Sequence, residues 1–279
     1  MKSYRLRKVV GRIASYGLLW GIMIFILGPI IWVAITSFQP MSNLMTVPPR
    51  VSLSEMSLTY YRELFGDAQF TKSLKNTISI TSLSTLLVLA ISALGAYAAA
   101  RFPFPGKDVL LFSILGLQLG PAVAFLIPLF IMVRGFGLID THLGVILVFT
   151  AFVVPVGIWL LRGFFEGIPH ELEPAARMDG GCRIGAFIRV ILPLAKGGLA
   201  ATSTFVFISI LGDLLVPLVL TFSRATTLTV FASAFGGMHN VNYGGAAAVA
   251  VLSGLPTVVL AVIFRRYLVR GLFEGSVKK

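Results

Sequence analysis

From Gly17 to Ile35 the chain carries no charged residue. As a helix such a stretch rises about 28 Å, close to the roughly 30 Å hydrocarbon core of a bilayer. Windows of about 19 residues find five more runs of this kind, so that six spans are expected at residues 13–38, 76–100, 109–133, 142–161, 197–222 and 246–264. The first is too long for a secretory signal and lacks a small-residue cleavage pattern after it, so it reads as an anchor. Of 279 residues, 57% are hydrophobic and 12% charged, against roughly 25% charged in soluble domains. The expected fold class is therefore all-α, a polytopic membrane protein with six transmembrane helices. Residues 1–12 form a basic cytoplasmic N-terminus, and residues 13–279 form one transmembrane domain with an inner loop at 162–196.

The net charge of +12 would suggest nucleic acid as the partner of a soluble protein. Here the bases flank apolar runs and report topology instead, so no nucleic acid is expected. With both termini inside, the inner segments hold 17 of the 23 Lys and Arg residues, among them Arg5, Arg12, Arg101, Arg162, Arg183 and Lys196. The outer segments hold Arg50, Arg62, Lys72, Lys75, Arg134 and Arg224. Positive residues are retained on the cytoplasmic side, which selects this orientation.

Chemistry is sparse. Cys182 is the single cysteine, and His142, His170 and His239 are scattered without zinc spacing, so no metal site is expected. No G-x-x-x-x-G-K-[ST] phosphate loop is present. A membrane enzyme would gather carboxylates, histidines or a serine nucleophile at one face. Instead Glu166, Glu171, Glu173 and Asp179 collect in the inner loop with His170, which reads as solvated. A stand-alone secondary transporter would need ionisable groups at mid-membrane, and Asp213 is a thin basis for one.

Two loops are long enough to carry structure. In the outer one, Gln39 to Lys75, the spacing of Leu58, Tyr61 and Leu64 predicts an interfacial helix, or a docking surface for an external protein. The inner one reads IPHELEPAARMDGGCRIGAFIRVILPLAKGG from Ile168. Proline suits the first helical position because its missing N–H needs no partner there, so a short helix is expected from Pro174 through Ala175, Ala176, Arg177 and Met178. Glu173 complements its positive end. Asp179, Gly180 and Gly181 stop it, and a second helix runs from Arg183 to Leu192 before Pro193. Two alanines with almost no side chain, ringed by Glu171, Glu173, Arg177 and Asp179, describe a docking knob.

The spacing Ala175-Ala176, Gly180, Val190-Ile191-Leu192-Pro193, set in Ile-Pro-x-Glu-Leu-Glu-x-Ala-Ala-x-x-Asp-Gly, resembles the signature loop of permease subunits of bacterial ABC importers. It is similar in particular to the second, six-span permease of maltose-type carbohydrate importers. Tyr61-Arg62-Glu63-Leu64-Phe65, Ala96-Tyr97-Ala98-Ala99-Ala100-Arg101-Phe102, Ile127-Pro128-Leu129-Phe130, Val269-Arg270-Gly271-Leu272 and Gly275-Ser276-Val277-Lys278 extend the likeness across most of the chain. The resemblance implies coupling through the loop around residues 171–193, whose short helix follows the cleft of a cytosolic ATPase, one of a dimer that binds ATP and Mg. The docking residues it implies are Glu171, Glu173, Pro174, Ala175, Ala176, Arg177, Met178, Asp179 and Gly180. It also implies a second permease subunit, an extracytoplasmic sugar-binding protein, a bacterial inner-membrane location, and no cofactor or catalytic residue on this chain. Two departures stand out. The family places Glu before the two alanines where this chain has Pro174, which leaves that charge contact either missing or supplied by Glu173. Where the family shows Trp-Asn before an acid in span five, this chain has Leu211-Gly212 before Asp213.

Within the spans, Asp213 is expected roughly 24 Å along a continuous fifth helix from Gly197. An intramembrane acid is a candidate pathway residue. Gln118 is a second, while Pro121, Thr202, Ser203 and Thr204 suit helix packing. Pro128, Pro155 and Pro256 should kink their spans, and Trp20, Trp32 and Trp159 should anchor at the interfaces.

Overall fold

The structure is a computed structural model that describes residues 2–118, 120, 122–178, 182–234 and 242–274. The described chain is helical, and it divides into two compact units.

The first unit comprises residues 1–68 and 232–254. It contains α1 (Lys2–Thr36), a single turn α2 (Met41–Leu44), a 3₁₀ turn at Leu53–Glu55, α3 (Thr59–Gly66) and the start of a long last helix. The apolar flank of α1 is unburied, with Phe25 81% exposed. The outer loop is folded on itself. Gln39 is fully buried and pairs both ways with the backbone of Ser52, donating to its carbonyl and accepting from its N–H, each at 3.1 Å. The expected interfacial helix is present as α3, one residue shorter in reach than its pattern: Leu64 is buried, but Leu58 lies just before the first turn and stays exposed. Tyr61 fastens α3 to the end of α1 through the Ser37 hydroxyl at 2.7 Å and the Phe38 ring at 5.2 Å. Tyr60 packs against Gly244, where a Cβ would fall 2.1 Å from the ring.

The second unit comprises residues 69–231 and 255–279. In chain order it holds α4 (Ala68–Arg101), α5 (Lys107–Leu117), α6 (Ala122–Gly135), α7 (His142–Glu166), α8 (Leu172–Met178), α9 (Arg183–Leu194) and α10 (Lys196–Leu211). Then come α11 (Leu215–Leu220) and α12 (Leu228–Ser233), and α13 (Tyr243–Glu274) carries the chain from the first unit into this one. One core packs Ile80 and Val88 of α4 with Val145, Val148 and Phe149 of α7, Val206 and Ile210 of α10, and Leu220 of α11. Gly157 lets α7 approach α4 closely, since a Cβ there would stand 2.3 Å from the Ser92 hydroxyl. A second core surrounds Tyr97, Leu161, Phe165, Phe187 and Ile191.

Among the described residues four helices are long and apolar enough to cross a bilayer unaided: Ser15–Thr36, Ala68–Arg101, His142–Glu166 and Tyr243–Arg265. The other two expected spans are not continuous helices. The run at 109–133 is divided between α5 and α6, and the sequence between them contains Gly120-Pro121, a pair that disfavours helix on both sides of the peptide. The run at 197–222 ends as α10 at Leu211; Gly212 follows, and Asp213 opens a new turn. The inner loop is also shorter than 162–196, because α7 continues to Glu166. At Ala195 the chain bends by 77° between α9 and α10. Pro193 does not stop α9 at Leu192. Leu192 donates to Phe187 in a wide π turn, and this re-registers the ladder just before the residue that has no N–H to give.

Candidate functional site

The inner loop folds as the short helix α8 followed by α9. Helix α8 begins at Leu172, two residues earlier than expected. As the third helical residue Pro174 still costs nothing, because the first four N–H groups of a helix have no partner within it. Glu171, Pro174 and Ala175 are exposed, Ala176 is half-buried, and Met178 is 88% exposed. Across the corner, Ile184 and Ile188 of α9 are also exposed, at 69% and 54%. Both helices thus leave apolar side chains exposed, and α8 adds two alanines with minimal side chains. Asp179, Gly180 and Gly181 lie outside the described residues, as does the side chain of Arg177. Cys182 caps α9: its Sγ accepts the Gly185 N–H at 3.4 Å.

Glu173 is the exception on α8, because its carboxylate turns inward and is 14% exposed. The Tyr97 hydroxyl donates to Oε1 at 2.6 Å, and Oε2 lies 3.8 Å from Nε of Arg101. Tyr97 and Arg101 stand one turn apart at the inner end of α4, so both reach the same side. The Arg101 side chain is 3% exposed and donates from Nη2 to the Ile168 carbonyl at 3.0 Å. Tyr97 sits among the rings of Phe102, Phe165 and Phe187, with centroids 6.1, 6.3 and 4.6 Å away. Arg183 covers the outer side of Phe102, its guanidinium 5.3 Å from the ring centroid. Nearby, Arg162 ties α7 to Asp108 of α5 at 3.1 Å and to Glu166 at 2.6 Å.

The outer end of the same unit has a polar cradle that the sequence reading missed. Asp140 adopts a positive φ of 56° and donates its own N–H to the Leu220 carbonyl. Its carboxylate accepts four successive backbone N–H groups, from Phe222, Ser223, Arg224 and Ala225, at 3.0 to 3.2 Å, and the Ser223 hydroxyl. Burial pushes the Asp140 pKa up, but these donors outweigh it and hold the carboxyl well below the usual range. Asn76 grips the same turn from the other side, donating to the carbonyls of Arg224 and Thr226 at 2.9 and 3.0 Å. Its amide oxygen must then accept from Nε2 of His142 at 2.8 Å, which fixes the proton on that nitrogen. Thr77 accepts the Leu228 N–H at 2.7 Å.

The two intramembrane candidates are engaged with backbone. Asp213 Oδ1 accepts the Val216 N–H at 3.0 Å, capping α11 after the break, and its carbonyl accepts the Thr229 hydroxyl. The acid that looked stranded in a continuous helix therefore sits at a helix start, where a carboxylate is favoured. Gln118 is exposed and donates to the Phe152 carbonyl of α7 at 2.7 Å. Ser203 and Thr204 bond back to the Ala200 carbonyl, as packing hydroxyls do.

Known proteins resemble this chain over most of its length. Residues 91–274 match the family described as binding-protein-dependent transport system inner membrane component. The chain is 36% identical over 253 residues to the trehalose transport system permease protein SugB of Mycobacterium tuberculosis (strain CDC 1551 / Oshkosh), covering 90% of this chain and 92% of that one. It is 33% identical over 258 residues to the trehalose/maltose transport system permease protein MalG of Thermococcus litoralis, covering 91% and 92%. A chain of a bacterial ABC transporter involved in the import of the acidic polysaccharide alginate superposes with a TM-score of 0.75 at 26% identity, over 92% of this chain and 96% of that one.

Proposed function

The chain belongs to the family of binding-protein-dependent transport system inner membrane components, and from that premise we propose that it forms half of the translocation pathway of an ATP-driven carbohydrate importer. It crosses the bacterial inner membrane six times with both termini in the cytoplasm. The third crossing is assembled from α5 and α6, and the fifth starts with α10. Its companions are a second permease subunit, a dimer of cytosolic ATPases that bind ATP and Mg, and an extracytoplasmic sugar-binding protein. The surrounding lipid and the second permease cover the apolar flank of α1. Gln118 and Asp213 border the pathway in this proposal.

The observation that carries the reading is the outer face of α8 and α9. Glu171, Pro174, Ala175 and Met178 are exposed, and in this proposal Arg177, Asp179 and Gly180, next to them in sequence, take part in the docking. A partner surface can approach the helix backbone at Ala175 because a methyl group is all that stands there. ATP closes the ATPase dimer, α8 follows its cleft, and the bundle alternates between outward and inward access.

The test is co-purification. The chain isolated from its native membrane should bring an ATPase and a second permease with it. Ala175→Arg should leave the protein inserted and release the ATPase. Ala175 is exposed, so the added side chain disturbs no packing within the chain. Retention of the ATPase by Ala175→Arg, or sugar uptake by vesicles containing this chain alone, would overturn the assignment.

A further inference from the structure

Glu173 points away from the face on which a partner would dock. We infer that Glu173, Tyr97 and Arg101 form a pin that fastens α8 to the inner end of α4, so that Glu173 is a positioning residue through which displacement of α8 enters the bundle. The inference rests on the proposed docking of an ATPase to α8 and adds the route by which its movement is passed on.

The argument starts from Arg101. Its guanidinium is almost completely buried, yet Nε and Nη1 have no hydrogen-bond partner among the described residues, and Nη2 alone finds the Ile168 carbonyl. A buried cation needs a countercharge. Among the described residues the carboxylate within ion-pair reach is that of Glu173. The same carboxylate accepts a hydrogen bond from the Tyr97 hydroxyl at 2.6 Å, so one oxygen is bonded to α4 and the other faces the Arg101 guanidinium at 3.8 Å. Those commitments leave Glu173 unable to supply the charge contact to an ATPase that Pro174 lacks. Exposed Glu171 remains free for that part.

The mechanical consequence follows from the length of α8. Seven residues cannot hold a helix in place by themselves. Its fixed point on α4 is the Glu173 carboxylate, and Tyr97 is in turn wedged among Phe102, Phe165 and Phe187. Helix α4 is continuous from Ala68 to Arg101, and the Ser92 hydroxyl bonds it to the Val154 carbonyl of α7. A pull on α8 therefore arrives at the foot of a long rigid rod that is bonded to its neighbour. Removing the pin should leave docking intact and lose transmission.

The experiment uses the intact complex purified from native membrane into nanodiscs, with and without saturating magnesium AMP-PNP, and reads amide hydrogen exchange. In the wild type, nucleotide should alter exchange both in α8 and in residues 95–102. In Glu173→Gln the ATPase should stay bound and α8 should still respond, while the response of residues 95–102 falls about tenfold. Tyr97→Phe, a milder change that also serves if Glu173→Gln fails to assemble, should lose about threefold. Arg101→Gln with Glu173→Gln removes the orphaned cation and should recover stability lost in Glu173→Gln, while the response of residues 95–102 stays lost. Loss of the ATPase from Glu173→Gln would make the carboxylate a docking contact and overturn the inference. So would an undiminished response of residues 95–102 in Glu173→Gln, absence of that response in the wild type, or a full response in the double variant, which would show that the charge and not the link matters. Failure of the docking proposal itself looks different: Ala175→Arg would retain the ATPase.

Discussion

Asp140→Asn isolates the charge of the outer cradle from its shape. Asparagine tolerates the left-handed backbone as aspartate does, so the φ of 56° adds no new strain. The amide oxygen can take over the N–H groups of Phe222, Ser223, Arg224 and Ala225, which all reach Oδ1. The amide nitrogen, however, would face the N–H groups of Ser223 and Arg224 where Oδ2 now accepts them. Hydrogen bonds to a charged acceptor contribute about 1.5–3 kcal/mol each, but bonds shared by one carboxylate do not add, so we expect a net loss of about 3 kcal/mol. At 1.4 kcal/mol per decade, local opening of residues 222–228 becomes about a hundredfold more frequent. Hydrogen exchange of a peptide covering this turn, in detergent at neutral pH, measures it directly. Because the carboxyl titrates lower in the folded protein, its contribution is fully present above the unfolded pKa of about 4 and is lost as pH falls through the depressed folded value. The excess exchange of Asp140→Asn over the wild type should thus hold steady above about pH 4 and shrink progressively as the pH falls below it. Equal protection of the two proteins at pH 7 would refute the claim that this carboxylate holds the turn.

Two further outcomes are expected. Cys182 is exposed at the start of α9, so a membrane-impermeant thiol reagent should label it in inside-out vesicles and not from outside intact cells; labelling from outside would reverse the topology. Gly244→Ala drives a methyl into the Tyr60 ring and should cost about 1–3 kcal/mol in thermal unfolding. Adding Tyr60→Leu should recover part of that loss, whereas simple additivity of the two changes would show that the contact is not its cause.

What could be read from residues in order was the part of the fold governed by local composition. The uncharged stretch in α1, the apolar length of α4 and α7, and the small-residue inner helix all follow from side chains within one element. The breaks were harder to read because hydropathy sums composition and ignores whether the backbone ladder continues. Gly120-Pro121 and Gly212 lie within apolar runs that score as spans, and only the turn chemistry of those residues marks the interruption. Asp213 was misplaced for the same reason, since its distance along the helix assumed a ladder that ends at Leu211.

The two polar clusters were invisible to periodicity because each is made between elements far apart in the chain. Asp140 meets a turn more than 80 residues later, and Tyr97 meets Glu173 across 76. Arg101 read as one more positive end of a span. A signal was nevertheless present: Tyr97 and Arg101 form a polar pair at i, i+4 on an otherwise alanine-rich last turn, ahead of an inner loop that holds carboxylates. A cation that only reported topology would snorkel to water. This one is buried, and a buried guanidinium commits the chain to delivering a carboxylate to it. Among the described acids of the loop, Glu171 is exposed and Glu166 is taken by Arg162, and Glu173 is the one that fills that role. The residue beside the missing family glutamate is thereby drawn into the bundle, and the docking proposed at this loop is left to the alanines, exposed Glu171 and the exposed apolar side chains around them.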